Sequence, residues 1–107
     1  MRLLAPLVVL LAAACASLPE SELRSHVVEA SCGQCRFGLP GEDCDLAIRF
    51  DGQAYFVDGT GIDDHGDAHA GDGFCNAVRK ARVSGRVVNG RFVATAFELL
   101  PEEGQAR

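Results

Sequence analysis

The sequence is poor in aromatic residues and in positive charge. It has no Trp and one Tyr, and its 10 Lys and Arg residues are outnumbered by 15 Asp and Glu, which gives a formal net charge of -5. Proteins that bind duplex nucleic acids need a basic face that neutralises phosphates, and proteins that bind single strands stack the bases on aromatic rings. We therefore expect no nucleic-acid partner.

The short motifs that mark common enzyme classes are also missing. The sequence contains neither the G-x-S-x-G nucleophile turn nor the Walker phosphate loop, and Gly59-Thr60-Gly61 is too short to cradle a phosphate. No pair of side chains has the spacing of an evident general acid and base. We therefore predict a non-enzymatic protein without catalytic residues, with one thiol-based alternative given below.

Residues 1–14 are predicted to be a secretion signal and not part of the fold. Arg2 is followed by an apolar run, 3–14, that is too short to cross a bilayer as a permanent helix. Leu11-Ala12-Ala13-Ala14-Cys15 resembles a bacterial lipobox, although Ala stands where Leu is usual, and cleavage after Ala16 is the alternative. We predict an exported protein that is anchored in the bacterial envelope by a lipid on Cys15, and that is otherwise periplasmic or secreted.

The remaining sequence divides into a tether, one small domain and a tail. Residues 15–26 are mostly polar, 27–101 carry the regular apolar patterns, and 102–107 are again polar. A chain of this length fits one domain at most. Its hydrophobic share of 48% excludes a chain that is disordered overall. We therefore expect a single β-rich domain over 27–101.

Two β-hairpins dominate the pattern of this domain. Residues 44–58 alternate between apolar and polar side chains around the turn Asp51-Gly52, and residues 81–100 surround the turn Asn89-Gly90. Both dipeptides favour the positive φ angles of a type I′ turn. The second turn would pair Arg82 with Phe97 on the outer face of its hairpin.

An earlier strand and a short helix complete the predicted order. The strand runs from Val27 to about Gln34, and the helix lies near 73–80 with Asp72 as its N-cap. The helix then falls between strands 3 and 4 of five. This order is typical of an OB-type barrel, so we predict a small, mainly β, five-stranded OB-like barrel, with an open sheet as the alternative.

The predicted domain contains four cysteines, Cys32, Cys35, Cys44 and Cys75. Their number is even whether Cys15 is lipidated or removed with the signal. Outside the cytoplasm the default state of such a set is two disulfides, which would stabilise a domain too small for a large core. The sequence leaves all three pairings open. We therefore predict a disulfide-stabilised envelope protein.

The segment Cys32-Gly33-Gln34-Cys35 allows two alternatives. A C-x-x-C pair can exchange disulfides, as in thioredoxin-like proteins, but there the motif opens a helix, whereas residues 36–41 cannot continue one. Four thiolates can also bind zinc, although Cys44 and Cys75 lack the close spacing of a usual second pair. Thiol–disulfide exchange by Cys32 and Cys35 is thus the alternative to a non-enzymatic role.

The Asp- and His-rich loop between the hairpins is a second candidate metal site. In an extended chain Asp63, His65, Asp67 and His69 project from one side, where two imidazoles and two carboxylates can bind a divalent transition metal ion. The loop is neither a zincin helix nor an EF-hand, because the residues that those motifs require are absent. The alternative is a solvated loop whose Asp side chains cap backbone amides.

Four segments of the domain form a distinctive set: Glu29–Cys35 (EASCGQC), Cys44–Ile48 (CDLAI), Tyr55–His69 (YFVDGTGIDDHGDAH) and Asp72–Asn76 (DGFCN). With them the region from Ala30 to Leu99 resembles a family of small exported bacterial proteins that is known only as a domain of unknown function. The resemblance implies an exported, cysteine-bearing protein and no particular activity. It leaves the ligand and any protein partner unidentified.

Overall fold

The computed structural model describes residues 24–102. The predicted signal peptide, the lipidation site Cys15 and the alternative cleavage site after Ala16 lie outside the described residues. Within residues 24–102, no helix has the length and apolar character needed to cross a membrane.

Five strands and one short helical turn make up the regular structure of the described residues. They are β1 (His26–Cys32), α1 (Gly33–Arg36), β2 (Leu46–Phe50), β3 (Gln53–Asp58), β4 (Arg79–Val88) and β5 (Arg91–Leu99). All five predicted strands are present, and their ends differ from the predicted ones by at most two residues. Local alternation and turn signals were therefore sufficient to locate them.

The strands close into a barrel in the order β1-β2-β3-β5-β4. β3 and β5 run parallel, and the other pairs, including the closing pair of β1 and β4, are antiparallel. The predicted five-stranded OB-like barrel is thus confirmed, and the sheet is closed rather than open.

Both hairpin turns have the predicted backbone conformation. The φ angles are 49° and 79° in Asp51-Gly52 and 52° and 75° in Asn89-Gly90. These are the left-handed angles that a type I′ turn requires at both central positions. In the first hairpin Ile48 consequently pairs with Tyr55.

The register of the second hairpin differs from the prediction beyond Gly85. A β-bulge lies there, and Thr95 is the extra residue on β5. A shift of one residue turns the following side chains to the opposite face. Phe97 therefore pairs with Val83 instead of Arg82, and it packs against the core instead of lying outside.

The helix predicted near 73–80 is replaced by a single hydrogen-bonded turn. The amides of Asn76 and Ala77 both donate to the carbonyl oxygen of Gly73, at 3.0 and 2.9 Å. Two residues later, at Arg79, the chain enters β4 and pairs with β1. Arg79 and Lys80, which the predicted helix would include, therefore pair with β1 in the sheet instead. The short helical turn lies instead at α1, between β1 and β2.

The barrel interior holds one continuous apolar core. Its members are Val28, Ala30, Leu46, Ile48, Val57, Phe74, Ala81, Val83 and Phe92. Along the strands they alternate with residues that face outward, as expected where one face of each strand is buried. Phe74 comes instead from the loop before β4, and it is 3% exposed. Its burial anchors this loop, which also carries Cys75.

Candidate metal centre

Four cysteines from three segments meet at the end of the barrel opposite the Asp51-Gly52 turn. Cys32 ends β1, Cys35 lies in α1, Cys44 lies two residues before β2, and Cys75 lies in the turn before β4. Because β1 and β2 are antiparallel neighbours, the end of one adjoins the start of the other. We call these four residues the cysteine cluster.

The sulphur atoms of the cysteine cluster lie close together. The Cys44 Sγ is 2.8 Å from the Cys32 Sγ and 2.9 Å from the Cys75 Sγ. The Sγ atoms of Cys32, Cys35 and Cys44 all lie within 4.8 Å of one another, a spacing at which they can hold a metal ion. Cys75 joins this group of three through its contact with Cys44.

The turn that carries Cys75 is held against β1 by polar contacts on its backbone. The amide of Cys32 donates to the carbonyl oxygen of Phe74 at 3.0 Å. The buried Ser31 hydroxyl lies 2.8 Å from the carbonyl oxygens of both Phe74 and Ala77. Together with the burial of the Phe74 ring, these contacts fix the position of Cys75.

Gln34 fastens the C-x-x-C turn to the segment that carries Cys44. Its Oε1 accepts from the amide of Asp45 at 2.9 Å, and its Nε2 donates to Asp45 Oδ2 at 2.7 Å. The amide of Gly33 donates to the carbonyl oxygen of Asp45 at 2.8 Å. Three bonds to one residue therefore set the distance between the two cysteine-bearing segments.

α1 also places an amide donor beside the Cys32 sulphur and a guanidinium on the Cys75 turn. The amide of Cys35 donates to the Cys32 Sγ at 3.4 Å. The Arg36 guanidinium donates to the carbonyl oxygen of Asn76, and this bond joins α1 to the Cys75 turn. The hydrogen bond from the Cys35 amide favours the thiolate form of Cys32.

The thiols of the cluster resist simultaneous ionisation. Burial raises the pKa of Cys32, but hydrogen bonds from Cys44 and Cys35 outweigh it and hold that pKa below its usual value. The pKa of Cys44 is raised by burial and by its contacts with Cys32 and Cys75. The pKa of Cys35 is raised mainly by its hydrogen bond to Cys32. Without a cation, the cluster thus opposes ionisation of Cys35 and Cys44 and favours it at Cys32.

Among the described residues no two of these sulphurs lie at bonding distance, so the structure does not show the disulfides predicted from the even cysteine count. All four thiols are free, and Cys44 lies almost equally far from two sulphurs. A disulfide requires one partner at about 2.05 Å. The Cys44 Sγ instead contacts the Sγ atoms of both Cys32 and Cys75.

Thiol–disulfide catalysis needs a cysteine that is both ionised and accessible, and neither Cys32 nor Cys35 combines these two properties. Attack requires a thiolate that the substrate can reach. Cys32, whose pKa is lowered, is 0% exposed, whereas Cys35 is exposed and has a raised pKa. This distribution does not favour the redox alternative that uses Cys32 and Cys35 as a catalytic pair.

The Asp- and His-rich loop places its four candidate ligands in different surroundings. Asp63, Asp67 and His69 are exposed, and Asp67 Oδ1 accepts from the His69 amide at 2.9 Å. His65 turns inward, and its Nε2 lies 2.8 Å from the Thr60 hydroxyl. Among residues 24–102, these four do not provide three ligand atoms within 4.8 Å of one another. Metal binding by this loop stays a prediction.

His65 packs its ring between two phenylalanines of the barrel. Its centroid is 4.5 Å from that of Phe97 and 6.2 Å from that of Phe74. Burial lowers the pKa of the imidazole, although the nearby Asp64 carboxylate opposes the shift. The neutral ring is therefore the form that suits this site.

A pH dependence of stability follows from His65. A base whose pKa is lowered by folding stabilises the fold above its unfolded pKa of about 6.5, and this contribution is lost as the pH falls through the folded pKa. We expect the free energy of unfolding to fall less between about pH 7.5 and 5 in His65→Gln than in the wild type. Urea unfolding at both pH values measures this change in the free energy of unfolding. His69→Gln is the control for an exposed histidine, and equal slopes in wild type and His65→Gln would contradict the prediction.

Comparison with known proteins gives a family and no activity. Residues 26–100 match the model of a family described as a family of unknown function (DUF6370). The match covers the whole barrel and all four cysteines of the cluster. No curated protein and no solved structure matches the chain.

Proposed function

We propose that this chain, which belongs to the DUF6370 family of unknown function, binds a zinc ion through the thiolates of Cys32, Cys35, Cys44 and Cys75. The observation that carries the proposal is the convergence of the four cysteines, with the Cys44 sulphur 2.8 and 2.9 Å from two others. Zinc takes four thiolate ligands in closed structural sites. The role is therefore metal binding that stabilises the barrel, without catalysis.

The sulphur separations suit a small adjustment around a central ion. With zinc–sulphur bonds of about 2.3 Å, tetrahedral thiolates lie about 3.8 Å apart. The two short contacts of Cys44 would therefore open by about 1 Å, while Cys75 would move closer to the other sulphurs. Rotation about side-chain torsions can supply such changes for Cys32, Cys35 and Cys44, whose sulphurs already lie within 4.8 Å of one another, and Cys75 would have to follow from its contact with Cys44.

Electrostatics supports a dication at this point. Burial and the neighbouring sulphurs raise the pKa of Cys44, and the hydrogen bond to Cys32 and burial raise the pKa of Cys35. A central ion of charge +2 reverses both shifts, because it attracts all four thiolates at short range.

The spacing of the ligands supports the same conclusion. Cys32 and Cys35 form the C-x₂-C pair that is common in zinc sites, and the amide of Cys35 donates to the Cys32 Sγ as in a tight metal-binding turn. Cys44 and Cys75 are distant in sequence, but the strand pairing and the docked Phe74 bring them to this pair. The fold thus brings Cys44 and Cys75 to the site, although they lack the close sequence spacing of the second cysteine pair in a usual zinc site.

Metal content tests the proposal directly. The reduced wild-type protein, incubated with zinc and then desalted, is expected to retain about one zinc per chain, and Cys44→Ser is expected to retain almost none. The matched control is Asp63→Asn/His69→Ala, which alters the Asp- and His-rich loop at exposed positions and should keep the metal. Replacement of zinc by cobalt should give thiolate-to-metal charge-transfer absorption. A wild-type protein that takes up no zinc overturns the proposal, and so does loss of zinc in the loop variant alone.

Zinc affinity is expected to fall by at least about 100-fold for each unit decrease in pH near neutrality. The raised pKa values of Cys35 and Cys44 keep both thiols protonated in the metal-free protein. Two protons at least must therefore leave when zinc binds, and each proton contributes a factor of about 10 per pH unit. Competition with a chelator of known pH dependence measures the slope. Release of fewer than about two protons per zinc would contradict this account.

We also propose that the protein binds zinc outside the cytoplasm, as a lipoprotein of the bacterial envelope. The apolar segment 3–14 and the lipobox-like sequence before Cys15 support this location. Incorporation of radiolabelled palmitate that is lost in Cys15→Ala is the expected result. Labelling that persists in Cys15→Ala, or no labelling of the wild type, would argue against the anchor.

A further inference from the structure

We propose that the cysteine cluster is also a redox-controlled site, in which a disulfide oxidant enters at Cys35, converts Cys32 and Cys35 to a disulfide and releases the zinc. This inference rests on the zinc site proposed above and adds its regulation. It arises from the unequal exposure of the four cysteines and from the position of two of them on one helical turn.

The four cysteines of the cluster differ in how far solvent reaches them. Cys35 is exposed, whereas Cys32 is fully buried and Cys44 and Cys75 are half-buried. Exchange with a disulfide requires the attacking sulphur, the central sulphur and the leaving sulphur to line up, so the attacking residue must be reachable. Among the four ligands Cys35 meets this requirement best.

Cys32 is placed to complete the reaction from inside. Its Sγ lies within 4.8 Å of the Cys35 Sγ and accepts the amide hydrogen of Cys35 at 3.4 Å. Both residues belong to a single turn, so a disulfide between them needs no movement of the strands. Because Cys32 is buried, its thiolate cannot reach a bulky disulfide oxidant directly.

The chemistry balances with a low-molecular-weight disulfide as the oxidant. In the zinc-loaded state Cys35 would already be a thiolate, although the pKa of the free thiol is raised. That sulphur attacks one sulphur of the oxidant, which forms a mixed disulfide, frees Cys35 from the metal and expels one thiolate. The Cys32 thiolate then attacks the Cys35 sulphur, forms the Cys32–Cys35 disulfide and expels the second thiolate. The two protein thiolates lose two electrons, and the oxidant is reduced to two thiolates.

Zinc leaves because half of its ligands are consumed. After the reaction Cys44 and Cys75 remain, and two thiolates are too few for the closed four-ligand site that holds zinc tightly. The Gln34–Asp45 bonds and the Ser31 contacts do not involve sulphur, so the surrounding segments keep their positions. Reduction of the new disulfide therefore restores a site that is ready to bind zinc again.

Oxidised glutathione is the probe that tests this inference on the zinc-loaded full chain. A zinc indicator should report release of about one zinc per chain, together with about two equivalents of glutathione thiol, and peptide mapping should find the Cys32–Cys35 disulfide. In Cys32→Ser the resolving thiol is missing, so one glutathione should remain attached to Cys35. Because both variants lack a zinc ligand, they are compared with the zinc-free wild type, and in Cys35→Ser the rate of glutathione addition should fall at least about 10-fold.

The outcomes separate this inference from the zinc site itself. Glutathione attached to Cys44 or Cys75, or zinc retained in the wild type under excess oxidant, overturns the redox step and leaves zinc binding intact. A wild-type chain that never takes up zinc overturns the metal site and the redox step together. Restoration of zinc binding by a reductant is the expected last step, and a failure to restore it also contradicts the inference.

Discussion

Removal of zinc from the loaded protein with a chelator is expected to lower its melting temperature by about 20 °C. The cluster ties together the end of β1, the segment before β2 and the turn before β4. In the unfolded chain the four thiols are far apart and cannot share one ion. Zinc held by the cluster would therefore bind the folded state, and the stabilisation would grow with the logarithm of its free concentration relative to its Kd.

The size of the shift follows from the free energy of binding. At a free zinc concentration of about 1,000 times the Kd, the folded state gains about 4 kcal/mol. For a domain of this size each kcal/mol raises the melting temperature by about 4–8 °C. The predicted domain, 27–101, is small enough that this contribution is a large part of its total stability of about 5–15 kcal/mol.

Calorimetry of the reduced protein, with zinc or with excess chelator, measures the shift. Cys44→Ser should melt near the temperature of the zinc-free wild type and should not respond to the chelator. Asp63→Asn/His69→Ala should keep the full shift, since both residues are exposed in the other candidate site. A wild type that binds zinc in the cluster but melts at the same temperature after its removal would contradict the stabilising role.

The hairpins could be predicted because their signals are local. Asp51-Gly52 and Asn89-Gly90 each set the turn, and the alternation on either side sets the face that is buried. Neither signal depends on a residue far away in the sequence. The order of five strands then left few ways to close a barrel, and the OB-like arrangement is the one observed.

The cysteine cluster could be predicted only in part, because its geometry depends on distant contacts. Cys32 and Cys35 were recognisable from their spacing. The contacts that bring Cys75 to them, the buried Phe74 ring and the Ser31 hydroxyl, carry no sequence signal of their own. In a chain predicted to be exported, an even cysteine count favours disulfides because the compartment is oxidising. That general argument does not predict the position of Cys44 in contact with two sulphurs.

Polar residues that organise the cluster escaped prediction for a similar reason. Gln34 lies inside the C-x-x-C motif, but its partner Asp45 is 11 residues away. Arg36 follows the motif directly, and its partner Asn76 is 40 residues away. One sequence signal could have drawn attention to these four polar residues, because each of them is the direct neighbour of a cysteine in the sequence.

The β-bulge in the second hairpin also depends on a close approach that the sequence pattern does not reveal. Gly85 has a φ of 153° and lies directly against the backbone of β5. A side chain there would meet the carbonyl oxygen of Val93 and the Cα of Ala94. Without the bulge, Phe97 would face outward beside Arg82, as the simple register predicts.

Gly85→Ala is therefore expected to destabilise the barrel by about 4 kcal/mol. The added methyl group overlaps backbone atoms that cannot rotate away, which costs about 1–3 kcal/mol, and the positive φ adds a similar strain for any residue with a Cβ. Relief of the clash would require β4 and β5 to separate at the bulge, which would disturb the inward position of Phe97. Chemical denaturation of the zinc-loaded protein measures the change.

Two glycine variants show whether the close approach causes this loss. Gly71→Ala places a methyl group in open space and should change the free energy of unfolding by less than about 0.5 kcal/mol. Gly90→Ala also meets no neighbouring atom, but its φ is 75°, so it should show the backbone strain alone, about 1–2 kcal/mol. If Gly85→Ala is no more destabilising than Gly90→Ala, the contact with the backbone of β5 is not what fixes the bulge. If Gly85→Ala fails to fold while Gly90→Ala folds, the close approach at Gly85 sets the register that carries Phe97 into the core.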